Sequence, residues 1–108
     1  MKHQLILQFQ TSSIEDYDLI IDLEDKLIEL VEPEAEVDGH DIDGKQMNIF
    51  ILSNDPSAAF DKIRKAKIFD DSNLLSKVVH RLVGSDTYHV LWPSNLEQFE
   101  TRKGPKKL

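Results

Sequence analysis

The stretch that most constrains the fold of this chain is EAEVDGHDIDGKQMNIFILSNDP, from Glu34 to Pro56. It predicts two strands joined by a tight turn, because Asp43-Gly44 is among the strongest short-range hairpin signals. We place both of these residues at the centre of a type I′ turn, in which both central residues have positive φ. The second strand, Met47 to Leu52, is nearly all apolar, as expected of a central strand. The rest of the chain can be placed relative to this hairpin.

A helix is predicted on each side of the hairpin. The first spans Ile14 to Val31, and Pro33 ends it because the residue before a proline disfavours the α region. Its apolar stripe recurs at three- and four-residue spacing: Tyr17, Ile20, Leu23, Leu27, Leu30 and Val31, widened by Ile21 and Ile28. Two capping pairs fit its start: Ser12 with Glu15, which we prefer, and Ser13 with Asp16. The second helix begins with Asp55 as N-cap and Pro56 at its first position, and it frays near Ile68-Phe69.

The first strand is Gln4 to Gln10, with Leu5, Leu7 and Phe9 on one face and Ile6 on the other. The last strand is Tyr88 to Trp92, and Pro93 ends it. Tyr88 and Trp92 would share one face of that strand, and we favour core packing over a role in binding for both.

Residues 74–83 admit two interpretations. We predict a strand over Val78 to Val83, after a helical turn at Leu74-Leu75, because the segment is rich in β-branched residues and a turn follows it. The alternative is a helix over 74–83 with Gly84 as its C-cap. Beyond the last strand, Asn95 to Glu100 is predicted as a short helix or edge segment, and Thr101 to Leu108 as a basic flexible tail.

The predicted order is strand, helix, strand, strand, helix, strand, with an extra strand before the last. This βαββαβ order is that of the ferredoxin-like plait, an α+β fold with an antiparallel sheet of four to five strands and two helices on one face. Residues 1–100 would form a single domain, as the length of 108 residues suggests. The acidic helix over Ile14–Val31 and the basic helix over Pro56–Lys67 would then lie side by side and neutralise each other's charge.

Four pieces of the sequence resemble a pattern in a group of small bacterial proteins: Glu36 to Asp41 (EVDGHD), Met47 to Ile51 (MNIFI), Asp55-Pro56, and Val90 to Pro93 (VLWP). The resemblance covers much of the chain and rests on structural motifs. It implies the βαββαβ pattern. The group brings no agreed activity, so the resemblance implies no function, cofactor or site residue for this chain.

Composition excludes several classes of function. The chain has no cysteine, which rules out disulfides, thiolate nucleophiles and cysteine-ligated metals. Its net charge is −7, and every charged residue from Glu15 to Glu36 except Lys26 is acidic, so its body would repel nucleic-acid phosphates. No apolar run approaches the roughly 18 residues that cross a bilayer, and the N-terminus lacks signal-peptide features. We therefore expect a soluble cytoplasmic protein that binds neither nucleic acid nor membrane.

The sharpest cluster of chemically active side chains is Asp38, His40, Asp41 and Asp43. On a regular strand, two of these would lie on each face, which is too few ligands for a metal ion. We favour a polar strand with a bulge at Gly39. His40 could act as a general base with Asp38 or Asp41, but no nucleophile or glycine-rich phosphate loop accompanies it. We therefore predict no catalytic residue, no metal and no cofactor.

The acidic helix supports the leading functional hypothesis. Its outward acids lie at three- and four-residue spacing and would form one solvent-facing line: Asp18, Asp22, Asp25 and Glu29. With Asp38, Asp41 and Asp43, this line is expected to bind a basic protein partner, as an immunity protein binds a basic toxin. The expected class is a non-catalytic inhibitor.

The alternative belongs to another class, a small-molecule-sensing or enzymatic ferredoxin-like domain. Such a domain would form a homodimer through its open sheet face, and its ligand would lie near His40, His80 and Trp92. A pocket that gathers His40 with a second histidine would favour this alternative, whereas a solvated His40 would favour the binding protein.

Overall fold

The part of the chain that the structure describes folds into a five-stranded antiparallel sheet with two helices, an α+β architecture compatible with a ferredoxin-like plait. A computed structural model describes residues 2–68 and 74–93. Its elements are β1 (His3–Gln10), α1 (Ile14–Val31), β2 (Ala35–Asp43), β3 (Gln46–Ser53), α2 (Pro56–Ala66), β4 (Leu75–Leu82) and β5 (His89–Trp92). The sheet order is β2-β3-β1-β4-β5. The predicted fold class is therefore confirmed. The extra strand predicted before the last is β4, which lies between β1 and β5.

The main core lies between the sheet and the helices, on what we call the helix face of the sheet. Leu5, Leu7 and Phe9 of β1 are fully buried there, as predicted. The other strands and the helices add Met47, Ile49, Ile51 and Val78, together with Ile20, Leu27, Val31, Phe60 and Ile63. Full burial of one such side chain is worth about 1.5–3 kcal/mol, so this layer dominates the stability of the fold.

The start of α1 differs from the preferred prediction. Ser13 is the N-cap, and its Oγ accepts a hydrogen bond from the backbone N–H of Asp16 at 3.3 Å. The carboxylate of Asp16 in turn accepts from the backbone N–H of Ser12 at 2.8 Å. The preferred Ser12–Glu15 pair is therefore wrong and the second pair is correct. The helix ends with Glu32 as its C-cap, as the following proline predicts.

Both ends of α2 follow from local sequence chemistry. Asp55 is the N-cap, its Oδ1 accepts from the backbone N–H of Ala58 at 3.1 Å, and Pro56 opens the helix as predicted. Lys67 closes the helix in the left-handed conformation with φ of 58°. The helix therefore ends at Ala66, two residues before Ile68, and Phe69, the other residue of the predicted frayed end, lies outside the described residues.

The hairpin between β2 and β3 is confirmed, but its turn is shifted by one residue. Asp43 pairs with Gln46, so the central residues are Gly44 and Lys45. Gly44 has φ of +64°, whereas Lys45 is not among the positive-φ residues, which is the pattern of a type II′ turn. The predicted type I′ turn centred on Asp43-Gly44 is therefore wrong. Tyr17 of α1 anchors the turn, since its hydroxyl donates to the carbonyl oxygen of Gly44 at 2.8 Å.

The predicted bulge at Gly39 is present and changes the faces of β2. Val37 pairs with Ile51 and His40 pairs with Ile49, so Asp38 and Gly39 together lie opposite one residue of β3. Gly39 has φ of +102°, a backbone conformation that would be strained in a residue with a side chain. His40 therefore lies on the helix face beside buried Ile49, and the regular alternation that we assumed for β2 is interrupted.

A second bulge separates Tyr88 from Trp92. Val78 pairs with Trp92, whereas Val79 pairs with Val90, so the register shifts by one residue. Trp92 is half-buried against the main core, while Tyr88 and Val90 pack on the opposite face of the sheet. The core interpretation holds for Trp92, and the prediction that it shares a face with Tyr88 is wrong.

The ambiguous segment is a strand. β4 begins at Leu75 and pairs with β1 along its length, so the helix alternative and the helical turn at Leu74-Leu75 are both wrong. A run rich in β-branched residues forms a strand when a neighbour offers a pleated surface, and β1 is that neighbour. The segment Asn95–Glu100 and the tail Thr101–Leu108 lie outside the described residues.

The helices lie side by side on one face, as predicted. Their opposite charges do not meet in ion pairs within residues 2–68. Lys62 of α2 instead approaches Glu34, in the connection after α1, with 3.5 Å between Nζ and Oε1. Both side chains are largely exposed, and such surface pairs are worth about 0–1 kcal/mol. The predicted neutralisation is therefore not made through direct contacts between the helices.

Candidate functional site

Four acids of α1 face away from the core and form what we call the acidic ridge: Asp18, Asp22, Asp25 and Glu29. All four are exposed, whereas Ile20, Leu23 and Leu27 on the other side of the helix are buried. At 3.6 residues per turn, the four acids fall within an arc of about 60°, opposite the buried stripe. None of their carboxylates forms an ion pair or hydrogen bond with another residue in the described part of the chain. Their charge is therefore not compensated within the fold described.

Three isoleucines run along one flank of the acidic ridge. Ile14, Ile21 and Ile28 are 75%, 39% and 38% exposed. The sequence interpretation placed Ile21 and Ile28 in the buried stripe, and the structure places them at its exposed margin. Their seven-residue spacing advances only about 20° per step, so they follow a single line on the helix. That spacing was the signal that could have identified them as a surface feature.

The acids of β2 are exposed but do not extend the ridge as one surface. Asp41 and Asp43 lie on the face of the sheet away from the helices, where the carboxylate of Asp41 accepts from Asn48 Nδ2 at 3.0 Å. Asp38 lies in the bulge. Because β2 is an edge strand, its charges and its bulge also discourage pairing with the edge of another sheet. The structure therefore separates the seven predicted binding acids into a helix group and a strand group.

His40 is paired with a carboxylate. Its Nδ1 lies 3.0 and 3.2 Å from the two carboxylate oxygens of Glu24, an α1 residue that is 9% exposed. The contact connects the edge strand β2 to α1 across the helix face. His40 is thus neither fully solvated nor close to a second histidine. Its contact with Glu24 connects β2 to α1.

Three other histidines meet on the helix face of β1, β4 and β5. The ring of His80 stacks on that of His89 with 5.1 Å between centroids, and it meets the ring of His3 edge-on at 6.2 Å. The Nδ1 atoms of His3 and His80 are buried without a hydrogen-bond partner in the part of the chain described. Burial lowers the pKa of His80, and His89 and His3 lower it further. The surroundings of His80 thus favour its neutral imidazole.

This histidine cluster was not predicted from sequence. Its members are far apart along the chain, and only the strand register brings them together, with His80 directly opposite His89. His3 lies two residues from Leu5, the β1 residue that pairs with His80. No local pattern in the sequence signals such a contact.

The residues of the alternative ligand site are not brought together. His40 is on β2, His80 on β4 and Trp92 on β5, so the first and last lie at opposite edges of the sheet. At about 4.8 Å per strand, four strand spacings separate them by roughly 19 Å. A depression of about 320 Å³ lies between the end of α1 and the start of α2, and none of its lining residues is a histidine.

The described residues contain no group of three or more His, Asp or Glu side chains that could hold a metal ion. Neither α1 nor α2 is long and apolar enough to span a membrane. Comparison with known proteins finds no matching family model, no curated protein and no solved structure with significant similarity to this chain.

Proposed function

We propose that this protein is a non-catalytic binding protein whose acidic ridge engages a basic protein partner. The observation that carries the proposal is the exposure of all four ridge acids without a partner among the described residues. A surface kept for solubility alone does not require a single line of like charges. A line of this kind matches the requirement of a partner that presents a row of cations.

The energetics of α1 support this interpretation. Like charges three or four residues apart destabilise a helix by about 0.2–0.5 kcal/mol per pair. The ridge contains three such pairs in sequence: Asp18 with Asp22, Asp22 with Asp25, and Asp25 with Glu29. The helix therefore carries a small energetic penalty that a bound cationic partner would remove.

The three exposed isoleucines of α1 supply the apolar surface that the ridge acids lack. Exposed carboxylates accelerate association and select a cationic partner, but each adds only modestly to affinity because water screens it. Ile14, Ile21 and Ile28 offer aliphatic surface beside those carboxylates. Apolar burial next to complementary charge is the usual composition of a specific interface.

The version that we favour is inhibition of a basic enzyme, such as a nuclease toxin. An enzyme that binds phosphates presents lysine and arginine side chains at its active site, and a row of carboxylates can occupy the same cations. The small-molecule alternative is not carried further, because His40, His80 and Trp92 lie on different strands of the sheet.

The test is a capture experiment followed by measured affinities. The full chain is immobilised, incubated at low salt with extract of the cells that encode it, and the retained protein is identified and purified. We expect a basic protein whose affinity falls as salt is raised. The variant Asp22→Asn/Glu29→Gln should weaken binding by roughly tenfold, about 1.4 kcal/mol.

The matched control removes two exposed acids elsewhere. Asp61→Asn/Asp86→Asn changes the net charge by the same amount without touching α1. We expect this control to bind nearly as tightly as the wild type. Recovery of no basic protein, or an equal loss of affinity in both double variants, would contradict the proposal.

A further inference from the structure

One flank of α1 faces the edge strand β2 and is held to it by polar contacts. Three contacts join the two elements: the Tyr17 hydroxyl donates to Gly44 O at 2.8 Å, His40 Nδ1 lies 3.0 Å from Glu24 Oε1, and the N–H of Val37 donates to Glu32 Oε2 at 3.2 Å. The strand number falls as the helix number rises, so α1 runs antiparallel along β2. These contacts fix the helix against the edge of the sheet and form a polar seam between the two.

The exposed isoleucines of α1 lie just outside this seam. At about 100° per residue, Ile21 and Ile28 are turned about 40–60° from Glu24, on the side away from the buried stripe. Ile42 borders the seam from β2, two residues after His40 and on the same face of the strand, and it is 52% exposed. Aliphatic side chains thus line both sides of the seam, and we call them the isoleucine surface: Ile14, Ile21, Ile28 and Ile42.

The acidic ridge borders this surface along one side. Asp18 lies four residues after Ile14 and three before Ile21, and Asp25 stands in the same relation to Ile21 and Ile28. Residues at these spacings are neighbours on a helix, with about 5–6 Å between their Cβ atoms. The surface therefore suits an apolar partner that carries cations along one edge. A second copy of this chain, with its net charge of −7, would instead bring carboxylates close to carboxylates.

The spacing of the isoleucines along α1 indicates the form of that partner. Seven residues of α-helix rise about 10.5 Å and two turns of a second helix rise about 10.8 Å, so apolar residues on two helices stay in step. On one face of an extended segment, side chains repeat about every 6.7 Å, so a segment that contacts Ile14 has no equivalent side chain at Ile21. The bulge and the acids of β2 also discourage an added strand. These observations favour a helix.

We propose that the isoleucine surface binds an amphipathic helix of the basic partner, with lysine and arginine along the edge that faces the acidic ridge. Binding of such a helix rests on the proposed function, since the same ridge selects the partner, and it specifies the secondary structure and the side-chain pattern that are recognised. The line from Ile14 to Ile28 is about 21 Å long, which corresponds to about 14 residues of the bound helix. The polar seam holds α1 and β2 together before binding, so little ordering accompanies it.

Synthetic peptides test this surface without the partner. The helical probe has three heptads with leucine at positions a and d, lysine along one edge of the leucine stripe and glutamine elsewhere. A scrambled probe has the same composition and charge but no apolar stripe. Fluorescence anisotropy with the full chain at low salt should give a micromolar dissociation constant for the helical probe and one at least roughly tenfold weaker for the scrambled probe. Circular dichroism should show that the helical probe gains helix as it binds.

Two exposed residues of α1 give a matched pair of variants. Ile21 and Leu19 are 39% and 41% exposed but lie about 160° apart around the helix, so only Ile21 belongs to the isoleucine surface. We expect Ile21→Ser to weaken binding of the helical probe by at least roughly fivefold, whereas Leu19→Ser should bind it as the wild type does. Ile28→Ser repeats the test in case Ile21→Ser fails to fold by circular dichroism.

Three results would each overturn the bound helix: no binding of the helical probe, equal affinities for the helical and scrambled probes, or equal losses in Ile21→Ser and Leu19→Ser. Self-association of the chain that is lost in Ile21→Ser would assign the surface to a second copy and overturn it as well. None of these results decides the proposed function, which is tested separately by capture of the partner and by Asp22→Asn/Glu29→Gln.

Discussion

At the scale of single residues, His80 is the group whose ionisation the fold changes. Its pKa lies below the ordinary value of 6.5, because burial disfavours the imidazolium and because His89 and His3 lie beside it. The unfolded chain therefore binds a proton at this residue more readily than the folded chain does. The contribution of a neutral His80 is complete above a pH of about 6.5 and is lost as pH falls towards the lowered pKa.

This difference predicts a pH dependence of stability between pH 7.5 and pH 5.5. The free energy of unfolding of the wild type should decrease as pH is lowered across this window. His80→Gln keeps a polar side chain of similar size without the ionisation, so its unfolding free energy should change less. Urea denaturation at several pH values measures both. Parallel curves for the two proteins would show that another group controls the slope.

At the scale of elements, local chemistry was sufficient where a proline marks the start or the end of a helix. Pro33 and the Asp55-Pro56 pair located the end of α1 and the start of α2, because proline geometry and capping act within a few residues. The assignment of β4 required its neighbour β1, so the sequence left it open. The bulge before Trp92 contains no glycine that could have indicated it in the sequence. The face of the sheet on which Tyr88 lies was therefore misassigned.

The candidate site was likewise predictable where it depends on local sequence, and not where it depends on contacts between distant residues. The acidic ridge follows from helical periodicity alone, which places Asp18, Asp22, Asp25 and Glu29 opposite the buried stripe. The exposed isoleucines were misassigned because they lie at the margin of that stripe, where periodicity does not separate inside from outside. The histidine cluster depends on strand register, which the sequence specifies only through the fold as a whole.

The shifted hairpin turn gives a prediction for this element. Gly44 has positive φ, and a Cβ added there would meet nothing within 4 Å, so Gly44→Ala measures backbone strain alone. We expect Gly44→Ala to lower the free energy of unfolding by about 1–2 kcal/mol. Asp43→Thr should change it by less than about 0.5 kcal/mol, because Asp43 is a strand residue and not a central turn residue. Urea denaturation measures the free energy of unfolding of both variants. A larger loss of stability in Asp43→Thr than in Gly44→Ala would support the type I′ turn instead.

At the scale of the whole molecule, charge is unevenly distributed over two packed layers. The net charge is −7, and the acids concentrate on α1 and β2, while α2 and its C-cap carry Lys62, Arg64, Lys65 and Lys67. Direct pairing between the helices would have balanced this distribution, but Lys62 contacts Glu34 instead. The acidic ridge therefore retains its self-repulsion, which salt should screen.

If the acidic ridge is kept for binding at the expense of stability, the protein should become more stable when the ridge is neutralised. We expect Asp22→Asn/Glu29→Gln to raise the free energy of unfolding by roughly 0.5–1 kcal/mol at low salt, because it removes like-charge pairs along the ridge. Added salt should stabilise the wild type more than this variant, since less repulsion is left to screen. Urea denaturation at two salt concentrations, with Asp61→Asn/Asp86→Asn as control, measures this. If the ridge variant is less stable than the wild type, the carboxylates of Asp22 and Glu29 stabilise the fold. A loss of binding in that variant would then no longer report on binding alone.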